Sequence, residues 1–201
     1  MTKFAKGCVL VLAALIGCGI AMGQNASKAA PVDVAVTYDA LRSNHITGDN
    51  FWAQGGAVEL GGRFYRGLGV AARVEGSHAG AGSTNGVPLN LVTAVFGVRY
   101  TVASHSGRYV IFGEGLVGQS NGFRTLFSKG SGPVGSPTAG TITSDNALAV
   151  ETGGGLDFRL TRHLGLRVID ARYLRTDFLN STTNVQNNLS LGAGIVLRFG
   201  R

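Results

Sequence analysis

Asn188-Leu189-Ser190-Leu191-Gly192-Ala193-Gly194-Ile195-Val196-Leu197-Arg198-Phe199 is the stretch that decides the fold. Leu189, Leu191, Ala193, Ile195, Leu197 and Phe199 fall on one side of an extended strand. Asn188, Ser190, Gly192, Gly194 and Arg198 fall on the other, with Val196 the one apolar intruder. Successive side chains of a strand point to opposite faces, so this ribbon is apolar on one side and small or polar on the other.

Seven further segments have the same period. They cover residues 32–40, 51–61, 67–77, 92–100, 109–117, 148–159 and 164–175. In the fourth, Val92, Ala94, Phe96, Val98 and Tyr100 oppose Thr93, Gly97 and Arg99. The fifth is less regular, because Phe112 and Glu114 share a face. In the seventh the alternation slips, and a one-residue bulge near Ile169 would return Asp170 and Arg172 to the polar face. Short connections (61–66, 103–108, 161–163) alternate with long ones (41–50, 80–88, 120–146, 178–187). Eight strands with connections sorted by length predict an up-and-down antiparallel barrel with short turns at one end and long loops at the other.

Composition says what surrounds such a barrel. Only 14% of the 201 residues are charged, and 32 are glycine. A soluble domain needs about 25% charged residues to solvate its exterior. This chain falls well short, so its apolar faces are expected to meet lipid. The aromatics fall in two groups along the strands, as amphipathic rings do at two membrane interfaces. Tyr38, Phe51, Trp52, Tyr173 and Phe178 mark the long-loop rim. Phe64, Tyr65, Tyr100, Tyr109, Phe158 and Phe199 mark the short-turn rim.

The N-terminus reads as an export leader. Lys3 and Lys6 precede the apolar run 9–16, and Ala21-Met22-Gly23 supplies small residues for cleavage before Gln24. Residues 1–23 are thus the expected signal peptide, 24–31 a linker and 32–201 the barrel. Leu15-Ile16-Gly17-Cys18 resembles a lipobox, the competing reading in which Cys18 carries lipid. Both cysteines, Cys8 and Cys18, lie in this leader, so cleavage after Gly23 leaves no thiol. Loss of Lys3 and Lys6 takes the formal charge from +7 to +5. That excess is mostly dispersed arginine, which excludes the clustered footprint of a nucleic-acid binder.

The leader, the alternating strands and the closing Gly194-Ile195-Val196-Leu197-Arg198-Phe199 resemble the outer-membrane protein β-barrel domain family, the small eight-stranded OmpA/OmpX-like group. The resemblance implies an outer-membrane location, contact with outer-membrane lipid and lipopolysaccharide, and delivery by the barrel-assembly machinery. Gly194, Leu197 and Phe199 match the family's C-terminal assembly signal. Gly192 stands where a polar residue is usual, and Gly200-Arg201 follow the aromatic.

Eight strands enclose a lumen that side chains can fill. Its expected charged set is Asp33, Glu59, Arg73, Glu75, Arg99, Glu114, Glu151, Asp157, Arg159, Arg167 and Arg198. A structural plug and a small gated pore are both compatible with that set. No cofactor and no catalytic residue is expected. Gly113-Glu114-Gly115-Leu116-Val117-Gly118 matches GxGxxG but lacks the following helix that a dinucleotide site needs. His45, His78, His105 and His163 do not cluster, which argues against a metal site. Ser104-His105-Ser106 falls in a short turn, far from the outer leaflet that a lipid-modifying enzyme would work on. The 120–146 connection holds Phe123, Arg124, Leu126 and Phe127, an expected contact for an extracellular ligand. The rival from another class is a lipocalin-like barrel, soluble or lipid-anchored, which would turn the apolar face inward around a ligand.

Overall fold

The computed structural model describes residues 31–44, 50–80, 88–129, 140–178 and 185–200. Eight strands follow one another: β1 Val32–Ser43, β2 Phe51–Tyr65, β3 Leu68–Ala79, β4 Leu89–Ala103, β5 Tyr109–Lys129, β6 Gly140–Arg159, β7 Leu164–Thr176 and β8 Gln186–Phe199. Each pairs antiparallel with the next, and β8 returns to β1 from Val32↔Phe199 to Ser43↔Asn188, closing the barrel. Closure gives every strand a partner on both sides around the barrel wall, the condition for crossing a bilayer with strands.

The apolar faces point outward. Val36, Val58, Val74, Phe96, Val98 and Ile111 are all exposed, whereas Arg73, Arg167 and Arg172 are among the most deeply buried side chains. This polarity is the inverse of a lipocalin's and overturns that rival.

Two irregularities set which residues reach the lumen. The register of β7 shifts between Arg167 and Asp170, so that Val168 (55% exposed) and Ile169 (47%) both face out in succession. Asp170 and Arg172 are thereby returned to the interior. A second shift, between Arg63 and Tyr65, turns Phe64 and Tyr65 outward together just before the β2–β3 turn. That turn is Arg66-Gly67, with φ of 42° and 93°. Positive φ at both central residues is the geometry whose twist matches a two-residue hairpin, and glycine at the second position adopts it without steric cost.

Three expectations need correction. The 120–146 connection is not a loop throughout. β5 and β6 stay paired from Asn121↔Asn146 out to Lys129↔Gly140, with a register shift between Phe123 and Phe127. Beyond the lipid an apolar face has nothing to bury, so the period-two signal fades while backbone pairing continues. Asn121 supports that pairing, donating to Asn146 Oδ1 at 2.8 Å and to the Asp145 carbonyl at 3.3 Å. Phe51 and Phe178, the other two corrections, do not belong to the outer aromatic belt. Phe51 is 4% exposed and its neighbour Trp52 53%, because adjacent strand residues cannot share a face. Phe178 is fully buried.

Candidate functional site: the filled lumen

From the short-turn end upward, the lumen holds an ionic network and then an apolar cap. The network draws on all eight strands. Glu59 of β2 lies at its centre and accepts from Arg99, Arg167 (2.8 Å) and Arg172. Arg172 also reaches Glu114, Glu151 (2.7 Å) and Asp170 (2.7 Å). Arg73 binds Asp39 (3.0 Å), Glu75 (3.2 Å) and Asp170 (3.2 Å). Arg167 adds Asp157 at 3.0 Å, and Arg99 adds Glu114 at 2.8 Å. At the lower end Arg198 joins Asp157 (3.0 Å) to Asp33 (3.4 Å), whose side chain is 28% exposed.

Burial of a charge is strongly unfavourable unless it is paired and hydrogen-bonded. Guanidinium suits this setting because its planar fork serves several carboxylates at once. Phe112 supplies a further contact: Arg99 and Arg167 place their guanidinium carbons 4.5 and 4.2 Å from its ring centroid. The shared face of Phe112 and Glu114 thus has a physical reason, since ring and carboxylate serve the same cations.

At the level of the network, beside Arg73 and Glu151, Val95, Leu116 and Leu174 pack with Ala71 and Ala149. Nearer the long-loop mouth, Leu41, Phe51, Leu89, Leu91 and Phe178 form a second cluster with Ala53, Ala79 and Ala147. Gln186 holds Phe178 in place. Its Nε2 donates to the Phe178 carbonyl (3.0 Å), and its Oε1 accepts from the Phe178 N–H (2.9 Å) and from Thr176 (3.2 Å).

Ten of the eleven charged residues read from sequence enter ion pairs of this network. Arg159 instead lies half-exposed at the short-turn rim, beside Gly107. Asp39, Asp170, Arg172 and Phe112 complete the network but stand outside that set. Asp39 was legible, being on the same face of β1 as Asp33. Phe112, as an apolar residue on a polar face, was not.

Gly194 faces the lumen between Thr37 and Arg167, while Leu197 and Phe199 face outward. Trp52 is exposed near the long-loop end of β2, whereas Tyr38, placed at that rim from the sequence, is exposed in the middle of β1 because the strand runs on to Ser43. Tyr100, Tyr109, Phe158 and Phe199 lie toward the short-turn end, where the Tyr109 and Phe158 rings meet with centroids 5.3 Å apart and planes tilted by 48°. Cys18, Gly23, Gln24 and His45 lie outside the described residues. Gly113 to Gly118 are mid-strand in β5. Ser104 Oγ meets Ser106 Oγ (3.2 Å) and accepts from the Tyr109 amide (3.2 Å) within an exposed turn. His78 pairs with Asn90 at 2.8 Å. Among the described residues, no three His, Cys, Asp or Glu side chains are grouped to hold a metal.

No family model matches the sequence, and no curated protein does. Solved structures match the architecture. Neisserial surface protein A superposes with a TM-score of 0.59 at 15% identity, covering 84% of this chain and 97% of that one. Ail, the attachment invasion locus protein of Yersinia pestis, crystallised with the heparin analogue sucrose octasulfate, gives 0.55 at 15% identity, over 85% and 99% of the two chains. The crystal structure of Ail described without that ligand gives 0.54 at 14%, with the same coverage. Identities this low bear on the fold alone, and the fold is that of the small eight-stranded outer-membrane β-barrels.

Proposed function

We propose that the protein is a non-catalytic outer-membrane barrel whose interior is a rigid plug and whose long-loop face makes contact outside the cell. The carrying observation is the lumen, in which buried Arg–carboxylate pairs lie beneath the apolar cap of Phe51 and Phe178. A conducting pore needs a continuous wetted path, and an apolar constriction opposes one by dewetting. The 1–23 leader, cut between Gly23 and Gln24, would export the chain. Gly194, Leu197 and Phe199 would present it to the barrel-assembly machinery, and the apolar belt would sit among phospholipid and lipopolysaccharide. Lumenal Arg and Glu residues acting as the gate of a small pore are the second reading, favoured by their interleaved signs.

Planar-bilayer conductance separates the two. Refolded mature protein, checked for the mobility shift that folded barrels show on heating, is expected to stay silent. Discrete, salt-dependent steps would replace the plug by the pore.

The contact surface is assigned to the β5–β6 hairpin. Residues beyond Phe123 on β5 find no partner on β4, so the hairpin continues past the barrel rim by about 20 Å at ~3.3 Å per residue. A ribbon paired along its backbone has less chain to order on binding than a free loop. One structural neighbour is described as an attachment protein and was crystallised with a sulfated sugar, which lends the reading support by analogy. Replacing residues 124–143 with an Asn-Gly turn, which joins the paired Phe123 and Ser144, is expected to leave the heat-dependent mobility shift intact and to abolish attachment of expressing cells to heparin-coated surfaces. Unchanged attachment would move the function to the other loops.

A further inference from the structure

The short-turn rim carries arginines that the lumen does not neutralise. Arg63 ends the regular part of β2, Arg66 opens the β2–β3 turn, and Arg108 and Arg162 lie in the next two turns. Among the described residues none of these four forms an ion pair, whereas each lumenal arginine of the network forms at least two. The acids do not offset them. Among the described residues, Asp33 is the one partly exposed side-chain carboxylate at this rim, and it is tied to Arg198 at 3.4 Å. Asp145 and Asp177 lie at the opposite end. Among the described residues, the rim is therefore predominantly basic.

The bulge between Arg63 and Tyr65 adds an unusual surface to that charge. Phe64 and Tyr65 both face out, and with Tyr100, Val102 and Pro31 they line a groove of about 460 Å³ that also touches Arg63 and Arg66. The Arg66 guanidinium lies 5.3 Å from the Tyr65 ring centroid, held beside the groove. An apolar and aromatic wall beside the Arg66 guanidinium, with Arg63 also on its lining, matches a molecule with a hydrocarbon body and a negative head.

We propose that this groove binds an anionic phospholipid from the leaflet on the short-turn side. Its phosphate meets Arg63 and Arg66, and its glycerol and upper acyl carbons lie against Phe64, Tyr100 and Val102. The inference rests on the outer-membrane reading, because only a spanning barrel brings this rim to the headgroups. A guanidinium near a lipid surface favours a net-negative headgroup, and two of them acting together favour it by roughly tenfold or more over a zwitterionic one.

The test uses mature protein refolded in detergent, offered phosphatidylglycerol and phosphatidylcholine in equal amounts, with retained lipid counted by native mass spectrometry. One phosphatidylglycerol should be retained about tenfold over phosphatidylcholine. Arg63→Gln with Arg66→Asn should abolish that preference, asparagine being chosen because it tolerates positive φ. Arg42→Gln with Arg175→Gln, at the opposite rim, should leave it in place. For the unaltered protein the preference should also shrink at ~1 M salt, where exposed charges are screened within about 3 Å, a readout that does not depend on any variant folding. Equal retention of the two lipids, or a preference that survives the rim substitutions, overturns the site. If the protein inserts into vesicles but shows no preference, the outer-membrane reading stands without the site. If it does not insert, both fall.

Discussion

Arg172→Met is expected to destabilise the folded barrel by about 3–5 kcal/mol, read as a fall in the urea midpoint of the refolded protein in detergent micelles. The guanidinium is almost fully buried and answers Glu59, Glu114, Glu151 and Asp170 at once. Methionine nearly fills its volume, so packing is largely kept and the loss reports charge. Four carboxylates gathered from β2, β5, β6 and β7 would then face one another with one guanidinium fewer, in an interior that offers little water. Removing one partner of a buried set is far more costly than the net worth of the intact pairs, because the remaining charges keep their desolvation penalty. Arg175→Met is the matched control. Its ion pair with Asp177 is 3.5 Å long and about half-exposed, and such pairs contribute less than about 1 kcal/mol. Equal midpoints for the two variants would mean that the lumen is wet enough to solvate its own charges, and the packed-plug account would go with them.

Gly118→Val should cost about 3 kcal/mol or prevent appearance of the folded band in unheated gels. A Cβ at position 118 would lie 2.0 Å from the Ala94 carbonyl oxygen and 2.8 Å from the Val95 Cα, both backbone atoms of β4. Backbone held in a closed ladder cannot step aside as a flexible side chain can. Eight strands curve tightly, and at this point the inner surface of β5 approaches β4 too closely for any side chain. Gly115, three residues earlier on the opposite face, has nothing within 4 Å of its Cβ position, so Gly115→Val should leave the folded band unchanged. A sequence pattern that treats Gly113, Gly115 and Gly118 as equivalent members of a nucleotide motif misses this difference in what each glycine does. A folded band of equal intensity for both variants would show that β4 and β5 can separate, against the closure described above.

The fold was legible because lipid imposes its signature directly on sequence. Wherever a strand crosses the apolar layer, one face must be apolar, and the alternation in β4, β6 and β8 records that requirement residue by residue. The β7 bulge was legible for the same reason, since Asp170 and Arg172 on a lipid face would be prohibitively unfavourable. The signature ends where lipid ends, so the β5–β6 extension read as loop. Inside the barrel the rule is weaker, because a lumen tolerates charge, apolar bulk and glycine alike provided the volume is filled. Phe51, Phe112 and Phe178 are apolar residues in a place where pattern reading looks for polar ones. Their placement depends on partners contributed by distant strands: Arg99 and Arg167 for Phe112, and Gln186 for Phe178. Such pairings are three-dimensional facts with no local trace. The basic rim was hidden for a related reason, because its arginines are scattered along the chain and only the turns bring them to one end.

The seam between β1 and β8 carries a consequence in time. Every other strand pairs with its neighbour in sequence, but Val32 waits for Phe199 and Ser43 for Asn188. During synthesis a chain made as far as β7 has two open edges, at β1 and at the newest strand, each a row of unpaired donors and acceptors that invites a foreign strand. The longest-range contacts are also those with the greatest loop-closure cost, so they form late. Some carrier or catalyst must keep those edges apart from other chains until the final strand arrives, a requirement imposed by the order of strands in the barrel whatever the side chains upon them.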